Sequence, residues 1–420
     1  MSCNLQLQRN TKVFMSIIDL NGGAAVTAMT PANTWQVEVL AGYAVSQAAA
    51  TQDITAFESG TTPDRSSTRF NTSIEPVDWN FQVYIRPTGV DDIDANSFGG
   101  VRSSNSKPLA DWYLWQMLMS NANPATGTAE GSAWQDGGIF DTTERATTAN
   151  VADHSPNFGS AQEHHLYFVM DNIVYQVESA SVNQADVDGS IDQIATTTWT
   201  GFGTQLVELT GSPRDNAIAV FGGTLNNGFA SSGNSNAAAL NVTAAYHPWE
   251  TWNVAGTLTS AEFIKNRLST LELNHTPDGG ANVQYVFPGT NFSWTMTNNI
   301  TFLTPEQLNS LNAPIGNFTG ARLISGSITA YLRHGTGESA QLLRNIVTDP
   351  RVSHSSAANA NIFIGGTTAP YLGFYMPSVQ FNFPTHNIED IITITGEFQA
   401  QEPAASCGLG GEVIIFAKRV

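Results

Sequence analysis

The chain has 420 residues, with 17 Lys and Arg against 36 Asp and Glu, and a formal net charge of −19 at pH 7. This balance excludes a protein that grips DNA or RNA, because such proteins need clustered cations to displace counterions from phosphate. Hydrophobic residues make up 41% of the chain and charged residues 13%. That composition is typical of a folded chain with an uncharged polar surface and not of a disordered acidic tail.

The sequence contains no window of about 18 apolar residues and begins without the basic start and apolar run of a signal peptide. We therefore expect a soluble protein, made in a cytoplasm, without a membrane partner. The two cysteines, Cys3 and Cys407, lie near opposite ends of the chain. Neither a disulfide framework nor a cysteine-based metal site is expected.

Most of the chain alternates apolar and polar residues with a period of two. In residues 79–86 (WNFQVYIR), Trp79, Phe81, Val83 and Ile85 share one face, and the polar residues share the other. This pattern is typical of a half-buried strand. It recurs in residues 35–39, 173–178, 324–333 and 379–383, with Gly, Asn, Thr and Pro clusters between them. The sequence predicts a mainly β fold.

Two segments break this alternation. Residues 109–119 (LADWYLWQMLM) and 339–347 (SAQLLRNIV) carry apolar residues at spacings of three and four. Such spacing predicts one short helix in each segment.

The two halves of the chain resemble each other. When residues 79–86 are placed over residues 326–333, both faces agree over eight positions. The matched pairs are Trp79 with Gly326, Phe81 with Ile328, Tyr84 with Tyr331 and Arg86 with Arg333.

Further blocks follow in the same order. Residues 16–21 match 269–274, the strand at Trp35 corresponds to the strand at Trp294, and residues 168–170 match 374–376, with one predicted helix in the same slot of each half. We predict a tandem duplication from this order. The first domain spans residues 1–210, a connecting region spans 211–262, and the second domain spans 263–420. The first domain carries about 40 additional residues, mainly a long exposed loop at about 121–160.

No catalytic, metal or cofactor motif emerges from the sequence. Asp186, Asp188 and Asp192, in DVDGSID, are spaced as in a calcium loop, but Thr197 stands where the bidentate Glu would be. An Asp-Gly turn between strands is the favoured interpretation. Glu75 and Asp78 are the acids that we considered for a glycosidase pair, although nothing singles them out. We expect a structural or binding protein, which is not an enzyme and has no cofactor.

Two segments resemble a known family. Residues 291–332 (NFSWTMTNNITFLTPEQLNSLNAPIGNFTGARLISGSITAYL) and residues 68–87 (TRFNTSIEPVDWNFQVYIRP) resemble the major tail tube proteins of long-tailed, siphovirus-type bacteriophages. The LTPEQL and IGNFTGARLISG runs carry most of the resemblance, which covers about half of the chain.

This resemblance implies two tandem β-sandwich or barrel-forming domains, each with one short flanking helix, that add a curved sheet to the inner barrel of a ring. Rings of this family stack into the tube through which DNA leaves the capsid, and a duplicated fold implies a homotrimeric, pseudo-hexameric ring. It further implies a virion tail protein, assembled in the host cytoplasm, with itself, the tape measure protein and tail-end or neck proteins as partners. The strand residues carried over to the tube are Trp79, Phe81, Tyr84, Arg86, Ile328, Tyr331 and Arg333.

The acidic charge then suggests a mechanism. A lumen lined with carboxylates repels phosphate, so that double-stranded DNA passes without specific binding. Asp186, Asp188 and Asp192 are the candidates for this acidic surface or lumen.

Two alternatives remain open from the sequence. The chain would also suit another virion structural protein, or a β-sandwich module that binds carbohydrate or mediates adhesion. A carbohydrate-binding module needs exposed aromatic platforms. The candidate residues are Trp112, Trp115, Trp134, Trp199, Trp249 and Trp252.

Overall fold

The computed structural model of the chain describes residues 11–16, 34–54, 68–86, 111–119, 139–141, 164–170, 173–208, 263–275, 283–287, 289–304, 312–348, 358–366, 371–382, 385–387, 391–401 and 412–418. The two helices are α1 (Trp112–Met119) and α2 (Ser339–Thr348). Both helices form where the apolar spacing predicted them. Strands dominate the rest of the described chain, which confirms the mainly β fold.

The strands, in chain order, are β1 (Thr11–Ser16), β2 (Thr34–Val37), β3 (Ala44–Ile54), β4 (Thr68–Tyr84), β5 (Ile139–Asp141), β6 (His164–Met170), β7 (Ile173–Ser190), β8 (Thr196–Gly203), β9 (Gln205–Glu208), β10 (Thr270–His275), β11 (Val283–Phe287), β12 (Gly289–Thr297), β13 (Ile300–Leu303), β14 (Gly316–Thr319), β15 (Leu323–Tyr331), β16 (Ala358–Ile364), β17 (Tyr371–Met376), β18 (Val379–Phe381), β19 (Thr385–Asn387), β20 (Thr393–Ala400) and β21 (Ile414–Lys418).

The largest sheet contains a continuous antiparallel path of eight strands. Its order is β3-β4-β8-β7-β12-β15-β20-β18, and β19 extends β18 along β20. The pairing of β7 with β12 joins the two halves of the chain within this sheet. We call this path the eight-strand sheet.

Strand β7 belongs to two layers. Its first part pairs with β6 and β9, and its second part, from Ser181 onward, pairs with β8 and β12. The bend lies near Ser179, whose φ of 47° is rare for a residue other than glycine. The bend brings the sheet β2-β1-β6-β7-β9 onto the buried side of the eight-strand sheet. A second sheet, ordered β11-β10-β16-β17-β21-β5, follows in the other half.

The strands follow an equivalent order in the two halves of the chain. The path β3-β4-β8-β7 is followed by β12-β15-β20-β18, and the order β2-β1-β6-β7-β9 is matched by β11-β10-β16-β17-β21. By neighbours, β12 corresponds to β3, so the correspondence between the strands at Trp35 and Trp294 is wrong. The match of residues 168–170 with 374–376 is likewise off by one strand, because β6 has the neighbours of β16. The domain boundaries at residues 210 and 263 stay a prediction, since residues 209–262 lie outside the described chain.

Helix α1 packs on the buried side, where the two halves meet. Its Trp115 lies with the ring centroid 4.8 Å from that of Trp199 on β8 and 5.9 Å from that of Trp294 on β12. The Asn298 side chain donates a hydrogen bond to the Leu118 carbonyl oxygen at the end of the helix (2.7 Å). Most of the buried hydrophobic residues of both halves belong to a single cluster.

The predicted Asp-Gly turn is wrong. Asp188 and Gly189 lie inside β7, and the turn follows at Ile191 and Asp192. Gly189 is needed there because the Phe292 ring of the neighbouring strand occupies the space of a β-carbon, only 1.6 Å from its ideal position. The predicted insertion at 121–160 contributes β5, which pairs with β21 of the other half; its other residues lie outside the described chain. No helix among the described residues has the length and apolar character to cross a bilayer.

Candidate functional site

One face of the eight-strand sheet is polar over the six strands from β4 to β20. Its side chains line up in rows because antiparallel strands place paired residues on the same face. One row consists of Gln82, Thr198, Asp186, Thr295, Ser325 and Gln399, and the next of Tyr84, Thr196, Asp188, Ser293, Ser327 and Glu397. The row between them lies on the opposite face and consists of the buried Val83, Thr197, Val187, Trp294 and Phe398 and the half-buried Gly326.

Hydroxyl groups link neighbouring strands on this polar face. The Ser293 and Ser327 hydroxyl oxygens lie 2.9 Å apart, and those of Thr329 and Thr395 lie 3.0 Å apart. The Gln82 amide donates to the Thr196 hydroxyl at 3.0 Å. These side chains hydrogen-bond to one another, so the surface between the acids of this face is polar but uncharged.

The charged side chains in the two polar rows are acids. Asp186 accepts hydrogen bonds from the Thr295 hydroxyl at 2.7 Å and from the Gln184 amide. Asp188 is exposed beside it, and its pKa is raised above the ordinary value by partial burial and by the charge of Asp186. Asp186 and Asp188 are joined by Glu397, and neither row contains Lys or Arg. The face therefore presents a negative potential, since no cation in the rows offsets these carboxylates.

The sequence-predicted strand residues divide between the two faces. Trp79, Phe81 and Ile328 are buried in the core, as the alternation requires. Tyr84 and Tyr331 are exposed at the ends of β4 and β15, on the polar side. The alternation of apolar and polar residues thus predicted the buried and exposed faces of β4 and β15 correctly.

Arg86 and Arg333, which the sequence superposes, have different environments. Arg86 is only 2% exposed; its guanidinium lies 3.0 Å from the Glu38 carboxylate and over the Phe263 ring. Arg333 follows the end of β15, is exposed, and lies 3.9 Å from Glu338. Neither arginine lies in the two polar rows.

Asp192 does not belong to the acidic face. It lies in the turn after β7, where its carboxylate accepts a hydrogen bond from the Arg267 guanidinium at 2.6 Å. Both side chains of this pair are largely exposed, so its contribution to stability is small. Of the three predicted acids, the structure brings Asp186 and Asp188 together on the polar face and places Asp192 at its end.

The eight-strand sheet has two open edges. Among the described residues, β3 pairs only with β4, and β18 and β19 pair only with β20. A strand at the edge of a sheet can pair with a strand of another chain. The candidate functional surface is therefore the polar face together with the edge strands on either side of it.

The candidate tryptophans that the structure describes do not form exposed aromatic platforms for carbohydrate. Trp115 and Trp199 are fully buried in the core. The described part of the chain does not include the Trp112 side chain or residues Trp134, Trp249 and Trp252. Glu75 and Asp78, the pair considered for a glycosidase, are both exposed on β4. Among the described residues, no cluster of His, Cys, Asp or Glu is arranged to hold a metal ion.

Comparison with known proteins finds similarity to a phage protein. Over 401 residues the chain is 27% identical to tail tube protein pb6 of Escherichia phage T5, and the match covers 94% of this chain and 73% of that protein. The chain is a relative of a phage tail tube protein. This relationship confirms the resemblance carried by residues 68–87 and 291–332. No family model matches the chain.

Sequence reasoning missed part of the polar face. Glu397, the rows of Ser and Thr, and the open edge of β3 were not singled out. The available signal was the residue type at alternate positions, for example Thr196, Thr198 and Thr200 between the buried positions of β8. That signal identifies the face of one strand, but the order of strands across the sheet requires the tertiary structure.

Proposed function

We propose that this protein is the structural subunit of a phage tail tube, which assembles into rings that stack into a conduit for DNA. The observation that carries the proposal is the eight-strand sheet, with one acidic polar face and two open edges, in a chain related to a tail tube protein. The role is structural and involves no catalysis. The protein is a component of the virion tail.

Ring closure follows from the way the two halves join. Within the chain, β12 pairs with β7. The strands in the corresponding positions are β3 and the outer pair β18 and β19, which are the edge strands of the sheet in the described part of the chain. If β3 of one chain pairs with β18 and β19 of the next, the junction between chains repeats the junction within the chain. Three chains would then close a barrel of three times eight strands, with pseudo-sixfold symmetry.

The pairing of β7 with β12 inside the chain also predicts the register of the proposed pairing between chains. Thr295 on β12 stands opposite Asp186 on β7. Ser46 pairs with Asp78 on β4 as Thr295 pairs with Ser325 on β15, so Ser46 corresponds to Thr295. Likewise, Thr385 pairs with Thr395 on β20 as Asp186 pairs with Thr198 on β8, so Thr385 corresponds to Asp186. We therefore expect Ser46 of one chain to lie opposite Thr385 of the next.

Cysteine cross-linking tests this register. In a background with Cys3 and Cys407 replaced by Ser, the double variant Ser46→Cys, Thr385→Cys is oxidised and run on a denaturing gel. The expected product is a ladder of two and three chains that ends at three, because a closed ring leaves no free edge. A ladder that continues past three chains, or no bond between chains, contradicts the trimer. Ring-shaped particles of three-chain mass should appear by electron microscopy.

The matched control is the corresponding pair inside the chain. The variant Thr295→Cys, Asp186→Cys should form a bond within one chain and leave the mass on the gel unchanged, because these residues already face each other. A control that cross-links chains would show that exposed cysteines react without regard to register.

The polar face is placed toward the lumen in this assembly. The other face is covered by the second layer of sheets and by α1, so only the polar face is free to line a channel. Its carboxylates repel phosphate, and its hydroxyl groups are paired with each other. DNA then finds no deep binding site on the wall and slides. The tape measure protein and the tail-end and neck proteins are the expected further partners.

A further inference from the structure

A cavity of about 230 Å³ lies between the end of β2, the end of β4 and the start of α1. The chain that follows β2 runs beside β4 at this point. It is held there by the bridge between Val39 and Val83, and by the Leu40 N–H, which donates to the Gln82 carbonyl oxygen at 2.7 Å. Asp111, which also lines the cavity, directly precedes α1. Pockets for drug-sized ligands have volumes of about 300–1,000 Å³, so this cavity suits a smaller organic molecule.

Two deeply buried polar side chains line this cavity. Arg86 is 2% exposed; its Nη2 atom lies 3.0 Å from the Glu38 carboxylate, whereas its Nη1 atom has no hydrogen-bond partner in the described part of the chain. Asp111 is 3% exposed; its Oδ2 atom accepts a hydrogen bond from the Trp199 indole, whereas its Oδ1 atom has no such partner there. Because unsatisfied buried polar atoms are costly, these two atoms favour a ligand that bonds to both.

Much of the remaining wall of the cavity is apolar. Val37 and Val83 contribute buried aliphatic surface. The Phe263 ring lies under the Arg86 guanidinium and packs edge-on against the Tyr84 ring, with the two ring centroids 5.5 Å apart. The side chain of Glu38 and the residue Tyr84 are 38% and 37% exposed, so the cavity opens to solvent beside them. An apolar wall with a few polar groups is typical of small-molecule sites.

The charges around the cavity favour a neutral ligand. Arg86 is the single cation among its described lining residues, and Glu38 already offsets that charge. Asp111 is a second acid; burial raises its pKa to about 7, whereas the hydrogen bond from Trp199 and the charge of Arg86 lower it. An anion would therefore meet two carboxyl groups. A cation would be repelled by Arg86 and would leave the Nη1 donor without an acceptor.

We propose that this cavity binds a small neutral carboxamide with an apolar body. The amide oxygen accepts a hydrogen bond from Nη1 of Arg86, and the amide N–H donates to Oδ1 of Asp111, so a single planar group satisfies both atoms. The apolar body packs against Phe263 and the two buried valines. Since Asp111 is bonded to β8 and begins α1, the bound molecule stabilises the folded chain at the start of this helix.

Three ligands of similar shape test this site. Benzamide, benzoate and benzamidine share a phenyl ring and a planar end group but differ in charge and in their donors and acceptors. Each is titrated against the full chain at pH 8, and binding is followed by ligand-observed NMR. Benzamide should bind with a Kd on the order of 1 mM, as suits so small a ligand, and the other two roughly tenfold more weakly. Equal binding of all three, or no binding of benzamide, would overturn the proposal.

Removing the arginine donor locates the binding. Arg86→Met should weaken benzamide binding roughly tenfold or more, because the amide oxygen loses a charged donor. The matched control is Arg333→Met, which removes the arginine that the sequence superposes on Arg86 and that is exposed in the structure. This control should leave benzamide binding unchanged. An equal loss in both variants, or no loss in Arg86→Met, would contradict the site.

A change of ligand preference provides a second test that does not depend on Arg86→Met folding. In Asp111→Asn the amide oxygen still accepts from Trp199, so an N–H donor takes the place of Oδ1. The cavity then offers donors alone and has one carboxyl group fewer. The ratio of benzamide affinity to benzoate affinity should therefore shift roughly tenfold toward benzoate. An unchanged ratio would overturn the proposal. Circular dichroism of each variant establishes that it is folded.

Discussion

A buried carboxyl group stands at the start of helix α1. Asp111 is 3% exposed and accepts a hydrogen bond from the Trp199 indole N–H at 3.0 Å. Burial raises its pKa from 3.8 to about 7, against the opposing effect of hydrogen bonds such as that from Trp199. In the unfolded chain the group titrates near its ordinary value. Between these two pKa values the folded state binds more protons, so Asp111 makes the protein less stable as pH rises through this window.

Asp111→Asn should remove this dependence. The amide oxygen can still accept from Trp199, and no charge remains to be desolvated. We expect the variant to gain stability relative to the unaltered protein as pH rises from 4 to 7, by roughly 1–3 kcal/mol at pH 8. Urea unfolding at several pH values measures this difference. An equal difference at pH 4 and pH 8 would contradict the assignment.

Two adjacent histidines give the opposite pH dependence. Burial lowers the pKa of His164 to about 3 and that of His165 to about 4, with the neighbouring His165 also acting on His164. The unfolded chain takes up these protons near pH 6.5. Their contribution to stability is therefore complete above pH 6.5 and is lost as pH falls toward 4.

Lowering the pH from 7 to 5 should cost on the order of 2 kcal/mol for each buried histidine, because one pKa unit corresponds to about 1.4 kcal/mol. His165→Gln should remove part of this loss when unfolding is followed in urea. His334→Gln is the matched control, since His334 is exposed and should leave the pH dependence unchanged. A control with the larger effect would refute the role of burial.

Among the elements, aromatic and glycine residues exchange places between the halves. In the first half Trp79 on β4 stands opposite Gly201 on β8; in the second, Gly326 on β15 stands opposite Phe398 on β20. A β-carbon at Gly201 would lie 2.1 Å from the Ser181 carbonyl oxygen and 2.2 Å from the Trp79 ring. Each cross-strand pair thus combines one aromatic ring with one glycine, on opposite strands in the two halves.

Gly201→Ala should therefore destabilise the protein by about 1–3 kcal/mol, the usual effect of overpacking a core. Gly396→Ala on β20 is the matched control, because nothing lies within 4 Å of its β-carbon position. It should be neutral or slightly stabilising, since alanine restricts the unfolded chain. Thermal unfolding of both variants distinguishes close packing from a general intolerance of side chains in these strands.

Strand correspondences between the halves were only partly predictable. The match of residues 79–86 with 326–333 located β4 and β15 correctly, and both helices were found. The matches involving Trp35 and Phe168 were displaced by one strand, because alternating strands of similar length resemble one another. A strand is identified by its neighbours in the sheet, and pairing with neighbours is not written in the local pattern.

For the whole assembly, the acidic face predicts how the tube treats DNA. If the polar face lines the lumen, as proposed, Asp188→Lys should give tubes that retain a double-stranded oligonucleotide at low salt and release it as salt is raised, because the lumen would gain cations. Glu272→Lys makes the same charge change on β10, where it faces away from the core residues Leu271 and Leu273. Cosedimentation should show retention only with the Asp188 variant. Equal retention by both would contradict the placement of the polar face.

The local features of this protein follow from the order of its residues. Periods of two and of three to four fixed the strands, the helices and the buried face of β4 and β15, since these depend on residues a few positions apart. Its composition predicted the acidic surface, and two segments carried the resemblance to tail tube proteins. Which acids share a face, and the burial of Arg86 beside Glu38, depend on how distant strands pack together. The tertiary structure also joined β7 to β12 and made β3 and β18 the edge strands of the described sheet, because contacts between distant residues depend on the packing of the whole chain.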